Sequence, residues 1–142
     1  MKRACPIVYR ESAMGLEILA FSQPTAGKQL VTGLIGAKET LAASCVRSLR
    51  QASGLKGKAK RYIGKELMAD VDATYGFYLM ETDPILVEHW QVAEVSDEHE
   101  PNEFFWHRLD QPLGEDWQPL YQELISYIAR HFNPVTGQPS DP

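Results

Sequence analysis

Cysteine is nearly absent: Cys5 and Cys45 are the only two in 142 residues, and neither sits in a Cys/His spacing that could hold zinc. Long apolar runs are missing too, since none approaches the roughly 20 residues needed to span a bilayer. Met1-Lys2-Arg3-Ala4-Cys5-Pro6 is basic but lacks the apolar stretch of a signal peptide. Positive charge is in deficit, with 14 Lys and Arg against 19 Asp and Glu and a formal net charge of −5. That composition argues against a broad surface for duplex DNA or an anionic membrane, both of which require clustered cations. A small, locally basic pocket for a phosphate is still compatible with it. The expectation is a soluble cytoplasmic protein with reduced thiols.

What is present is ordinary for a globular chain: 44% hydrophobic and 23% charged residues. The length fits one compact domain, expected over residues 1–135, with 136–142 as a polar, frayed tail. No repeat is visible. Residues 4–9 and 16–21 read as strands, and 29–32 as extended, after the turn Pro24-Thr25-Ala26-Gly27. The period then changes. Thr40 can cap a helix whose apolar side is Leu41, Cys45, Leu49 and Ala52, closed by Gly54. Cys45 on that side reads as a small buried hydrophobe. Residues 56–61 read as a basic connection, while 62–71, 75–81, 85–95 and 104–109 are strand candidates rich in Tyr, Phe, Trp, Ile and Val. Asp116 can cap a last helix with a core stripe of Trp117, Leu120, Leu124, Ile128 and Phe132. Strands, helix, strands, helix is the order of an α/β (α+β) layered fold, a mixed sheet flanked by helices.

One segment carries more specific information. It reads Gly33-Leu34-Ile35-Gly36-Ala37-Lys38-Glu39 and, after seven further residues, Arg47-Ser48-Leu49-Arg50-Gln51-Ala52-Ser53-Gly54-Leu55. This resembles the Nudix box, in which Gly, Glu and Arg-Glu-aliphatic-x-Glu-Glu-x-Gly-aliphatic recur at these spacings. Gly33, Glu39, Arg47, Leu49, Gly54 and Leu55 match it. Ser48, Gln51 and Ala52 stand where the family has glutamate. Gln29-Leu30 ahead of the loop and the Phe104-Phe105-Trp106 segment extend the likeness loosely over the chain. The resemblance implies a Nudix-like α/β/α sandwich, with Glu39 and Arg47 paired as a brace between loop and helix.

It also implies a chemistry, and the residues argue against that chemistry. A Nudix hydrolase opens a diphosphate bridge with water and a divalent ion, Mg²⁺ or Mn²⁺. Hard cations take anionic oxygen ligands, so the family's carboxylates one helical turn apart form the metal platform. Serine and glutamine offer neutral oxygens and alanine offers none. No metal cofactor is therefore expected. The leading reading is a pseudo-enzyme that binds a nucleotide or related phosphate-containing metabolite, with Gly33, Glu39, Arg47 and Trp106 as ligand-side candidates.

Two alternatives stand beside it. An active hydrolase of nucleoside diphosphate-linked compounds would need Mg²⁺ or Mn²⁺ on a displaced site, for which the acidic run with Glu98, Glu100 and Glu103 is the candidate. A solvated acidic loop is the plainer account of that run. A structural homodimer module is the second alternative. Lys56, Lys58, Lys60 and Arg61 can guide a phosphate or form ordinary surface, and Trp90 and Trp117 read as core.

Overall fold

In a computed structural model, which describes residues 1–85, 87–92 and 101–132, the first strand already shows how the chain is layered. In β1 (Lys2–Ile7), Ala4 belongs to one buried cluster, while Cys5 and Ile7 belong to another. A strand buried on both faces reads as a continuous apolar run, and each face demands its own helix. β7 (Ala73–Thr82) repeats the pattern, with Tyr75, Phe77 and Leu79 in one cluster and Met80 in the other.

β1 and β7 lie parallel, Cys5 opposite Phe77. β5 (Gly33–Leu34) and β6 (Gly57–Met68) flank them antiparallel, so the four-stranded sheet β5-β1-β7-β6 is mixed. A second, antiparallel sheet is built from β2 (Tyr9–Ser12), β3 (Gly15–Gln23), β9 (Asn102–Arg108) and β8 (Trp90–Val92), with β4 (Gly27–Gln29) on β3.

Helix α1 (Leu41–Ser53) covers the Ala4–Met80 face through Cys45 and Leu49. The side chain of Thr40 accepts a hydrogen bond from Ala43 N–H, and Gly54 ends the helix at φ 79°. Such an N-cap contributes about 1 kcal/mol. Helix α2 (Pro119–His131) covers the opposite face with Leu124, Ile125 and Ile128, and Tyr127 stacks on Phe77 at 4.6 Å. No helix among the described residues is long and apolar enough to cross a membrane.

Several expectations are corrected. The span 4–9 is not one strand: Val8 separates β1 from β2, and its carbonyl accepts the amide of Leu19 as the chain passes between sheets. Pairing in the span 29–32 stops at Gln29, while Leu30 and Val31 turn into the core. The expected basic connection 56–61 is the start of β6, whose lysines alternate outward while the backbone pairs with β7. That strand stops at Met68 and gives way to a 3-10 turn, Ala69–Val71, short of the expected 71. Of the long strand expected over 85–95, only Trp90–Val92 pairs among the described residues. Asp116 caps nothing: α2 begins at Pro119 behind Gln118, and the Asp116 carboxylate instead meets Lys28 at 2.8 Å. Proline at the first helical position supplies the start, because its missing N–H is one no helix end can use. Cys5 and Cys45 are both free and buried, as a hydrophobic reading requires.

Candidate functional site

The Gly33–Glu39 loop is held on α1 by one cation. Arg47 donates from Nε to Glu39 Oε2 at 2.8 Å and from Nη2 to Glu39 Oε1 at 2.9 Å. The same Nη2 reaches the Leu34 carbonyl at 2.6 Å, and Nη1 donates to Gln51 Oε1 at 3.0 Å. Glu39 also accepts the amide of Gly36 at 2.9 Å. The paired guanidinium first, and that amide second, hold the Glu39 carboxyl down to about 2. A fork-on-fork pair of this kind is directional, and it fixes the loop's distance from the helix. Ser44 adds a hydroxyl bond to the Leu34 carbonyl at 3.2 Å. The brace implied by the box is therefore formed.

Ser48 is buried directly under the loop, and its Oγ has no hydrogen-bond partner. A Cβ added to Gly33 would overlap that Oγ and lie 2.9 Å from Ser48 Cβ. Glycine is thus needed at 33 because β5 rests against the Ser48 side chain. Gln51 is exposed and gives its carbonyl oxygen to Arg47, while Ala52 offers only a backbone carbonyl, which accepts from Asn102 Nδ2 at 3.3 Å. These three positions do not fit a hard divalent cation. One oxygen is neutral and buried, one is engaged by a positive charge, and the third side chain has none. The sole carboxylate between Gly33 and Leu55 is that of Glu39, already committed to Arg47 and the Gly36 amide. Among the described residues, no group of three His, Cys, Asp or Glu side chains is placed to hold a metal ion.

Of the displaced-site candidates, Glu103 is exposed on β9, with Gln91 Nε2 3.5 Å from its carboxylate. Glu98 and Glu100 lie outside the described residues. A chain of neutral groups occupies the space beside the box helix. Tyr121 donates to Gln29 (3.4 Å), Gln29 to Gln23 (3.1 Å), Gln23 to Asn102 (2.7 Å), and Asn102 to the Ala52 carbonyl. It links α2, the second sheet and the end of α1 without a formal charge.

Trp106 packs against the same buried cluster as Leu49 and Ala52 of the box helix. It lines a separate cleft of about 260 Å³ that also takes in Tyr9, Arg10, Lys60, Met80 and Ile85. The Arg10 guanidinium lies 4.3 Å above the Trp106 ring, and Lys60 Nζ donates to the Tyr9 hydroxyl at 2.8 Å. Trp90 stacks on Phe104 at 5.1 Å, and Trp117 is buried, so both are core. Arg10 gives no local signal in the sequence. Its partners come from β3, β9 and the stretch before β8.

The box loop and helix on a mixed sheet between two helices define an α/β/α sandwich with a strand–loop–helix site. No protein-family model and no curated protein sequence matches the chain. Among solved structures it is similar to a NUDIX hydrolase from Nitrosomonas europaea, with a TM-score of 0.71 at 12% identity over 99% of this chain and 75% of that one. It is also similar to an ADP-ribose pyrophosphatase from Streptococcus suis, at TM-score 0.61 and 16% identity, covering 90% of each chain. A UDP-X diphosphatase superposes at TM-score 0.61 and 11% identity over 90% of this chain and 62% of its own. The protein has the Nudix fold. Identity this low carries the fold and not the chemistry.

Proposed function

We propose that this is a Nudix-fold domain that does not carry out metal-dependent diphosphate hydrolysis and instead binds a nucleotide or a related phosphate-bearing metabolite. The observation that carries the reading is the set Ser48, Gln51 and Ala52 on a scaffold whose brace is complete. The Glu39–Arg47 fork and the Gly33 contact are formed, yet the helix offers no carboxylate at those positions. Two of the similar structures are named for ADP-ribose and UDP-linked compounds, which supports a phosphate-bearing ligand.

Attack of water on a diphosphate places charge on phosphate oxygens, and a bound dication stabilises that charge by several kcal/mol. Each 1.4 kcal/mol is about tenfold in rate, so loss of the ion lowers turnover by at least about a thousandfold.

The test is a panel of nucleoside triphosphates, ADP-ribose, dinucleoside polyphosphates and NADH, assayed with Mg²⁺ and with Mn²⁺. The expected result is no turnover above background. Metal-dependent turnover near about 1 s⁻¹, within the ordinary enzyme range, overturns the proposal. If that turnover disappeared on substituting Glu98, Glu100 or Glu103, the displaced-site alternative would replace it.

A further inference from the structure

The Arg10–Trp106 cleft shares no lining residue with the box. Arg10 is held there in an oriented state. Its Nε is fixed by Glu17 at 2.9 Å, a carboxylate whose side chain is 12% exposed, and its plane rests on the Trp106 ring. Its two outer nitrogens point away from that support. Both are taken by Glu88, Nη1 at 3.1 Å and Nη2 closer still. Glu88 is 72% exposed at its side chain and is separated by 78 residues from its partner. A guanidinium braced from behind, with its outer pair closed by one solvent-facing carboxylate, is the geometry that also accepts a phosphate bidentately. An exposed ion pair gives up such a partner readily, because water screens it.

Lys60 brings a second cation to the same cleft, steadied by Tyr9. Val8, Met80 and Ile85 give the lining an apolar part, and Glu81 and Asp83 also line it. Those two carboxylates can accept hydrogen bonds from the hydroxyls of a compact body. The volume, about 260 Å³, falls just below the range of about 300–1,000 Å³ usual for drug-sized ligands, which suits a small one.

We infer that this cleft is a binding site for a small phosphate monoester with a hydroxylated body, such as a sugar phosphate. Arg10 and Lys60 hold the phosphate, and Glu88 is the internal competitor that the ligand displaces. The inference rests on the reading of the chain as a phosphate-metabolite binder and gives that ligand a place and a class.

The experiment uses the full ¹⁵N-labelled chain at pH 7, titrated separately with ribose 5-phosphate and with ribose. Trp106 is the reporter, since its Nε1 is buried without a partner beneath the guanidinium that must move. The Trp106 indole and Arg10 Nε–H signals should shift saturably with ribose 5-phosphate and stay still with ribose. Arg10→Ala should weaken binding at least tenfold, and Glu88→Gln should tighten it several-fold by freeing the fork. Glu88→Gln changes one exposed side chain, so it reads the site even if Arg10→Ala unfolds the chain. A Trp106 signal that does not move in the folded wild-type chain overturns the site. Binding by Glu88→Gln that equals or falls below wild type does the same. Metal-dependent hydrolysis in the substrate panel would overturn the proposed function while leaving this titration intact. A flat titration with an inactive panel overturns the cleft alone.

Discussion

Gly33→Ala tests the packing of the box directly. The added methyl carbon has nowhere to go, because it would overlap Ser48 Oγ and approach Ser48 Cβ to 2.9 Å. The loop cannot simply lift. Leu34 is tied by its carbonyl to Arg47 at 2.6 Å, and Gly33 pairs with Ala4 of β1. Forcing an extra carbon into a packed site costs about 1–3 kcal/mol, and with both exits closed we expect a value near about 2 kcal/mol. For a chain near this size that is a fall in Tm of about 8 °C. Ser48→Gly removes both obstructing atoms, at a helix-propensity cost of about 1 kcal/mol. In that background Gly33→Ala should cost less than about 0.5 kcal/mol, the difference being the coupling between the two positions. Ser48→Ala alone should be neutral or stabilising by up to about 1 kcal/mol, since it deletes a buried hydroxyl with no partner. Urea and thermal unfolding of the four cycle members supply the measurement. An equal Gly33→Ala penalty with Ser48 present and with Gly at that position would refute the packing argument.

Glu39→Gln should loosen the loop without unfolding α1, seen as faster amide exchange at Gly36 and Leu34 with unchanged exchange at Leu49. Because folding lowers the Glu39 carboxyl to about 2, its contribution to stability is present above the ordinary glutamate range near about 4.3. It is lost as pH falls through about 2, and a carbon-detected titration of the Glu39 carboxyl should give its midpoint there. His107 is held below its usual value, by burial first and by Lys28 second. Its neutral form is thus favoured in the fold, and the stability it confers should be complete above the unfolded value of about 6.5 and decline as pH falls through the folded one. His107→Gln should flatten that slope in unfolding midpoints measured from pH 7 to pH 4. Gln51→Glu with Ala52→Glu should restore measurable Mn²⁺ binding by electron paramagnetic resonance, whereas either change alone should give little.

The helix that carries the box is legible in the sequence because its signals are local. Thr40, the four-residue recurrence of Leu41, Cys45 and Leu49, and Gly54 all lie within one short segment, each acting on its near neighbours in the chain. The Glu39–Arg47 brace is legible for the same reason, being closed over eight residues. β6 misleads because Lys58 and Lys60 look like a polar linker, and only pairing with β7 shows them to be the outward half of a strand. The start of α2 is misplaced by local reasoning because Asp116 has a better partner in Lys28, far away in the chain. The Arg10 cleft leaves no trace in the sequence. Its walls come from β2, β6, β7 and β9, and no local period brings those residues together. Trp106 does line a pocket, but that pocket is not the box.

β6 forms the margin of its sheet among the described residues, with β7 on one side only. A twelve-residue margin with unpaired amides and carbonyls is a template onto which another chain can add a strand. Here Lys58, Lys60, Arg61 and Lys65 are all exposed along it, and the register slips twice, between Ala59 and Arg61 and between Tyr62 and Gly64. A second copy docking edge to edge would set lysine against lysine along a ribbon whose hydrogen-bonding rhythm is broken in two places. The strand therefore acts as its own gatekeeper against runaway cross-β growth, and the bulges that bend it are part of that protection.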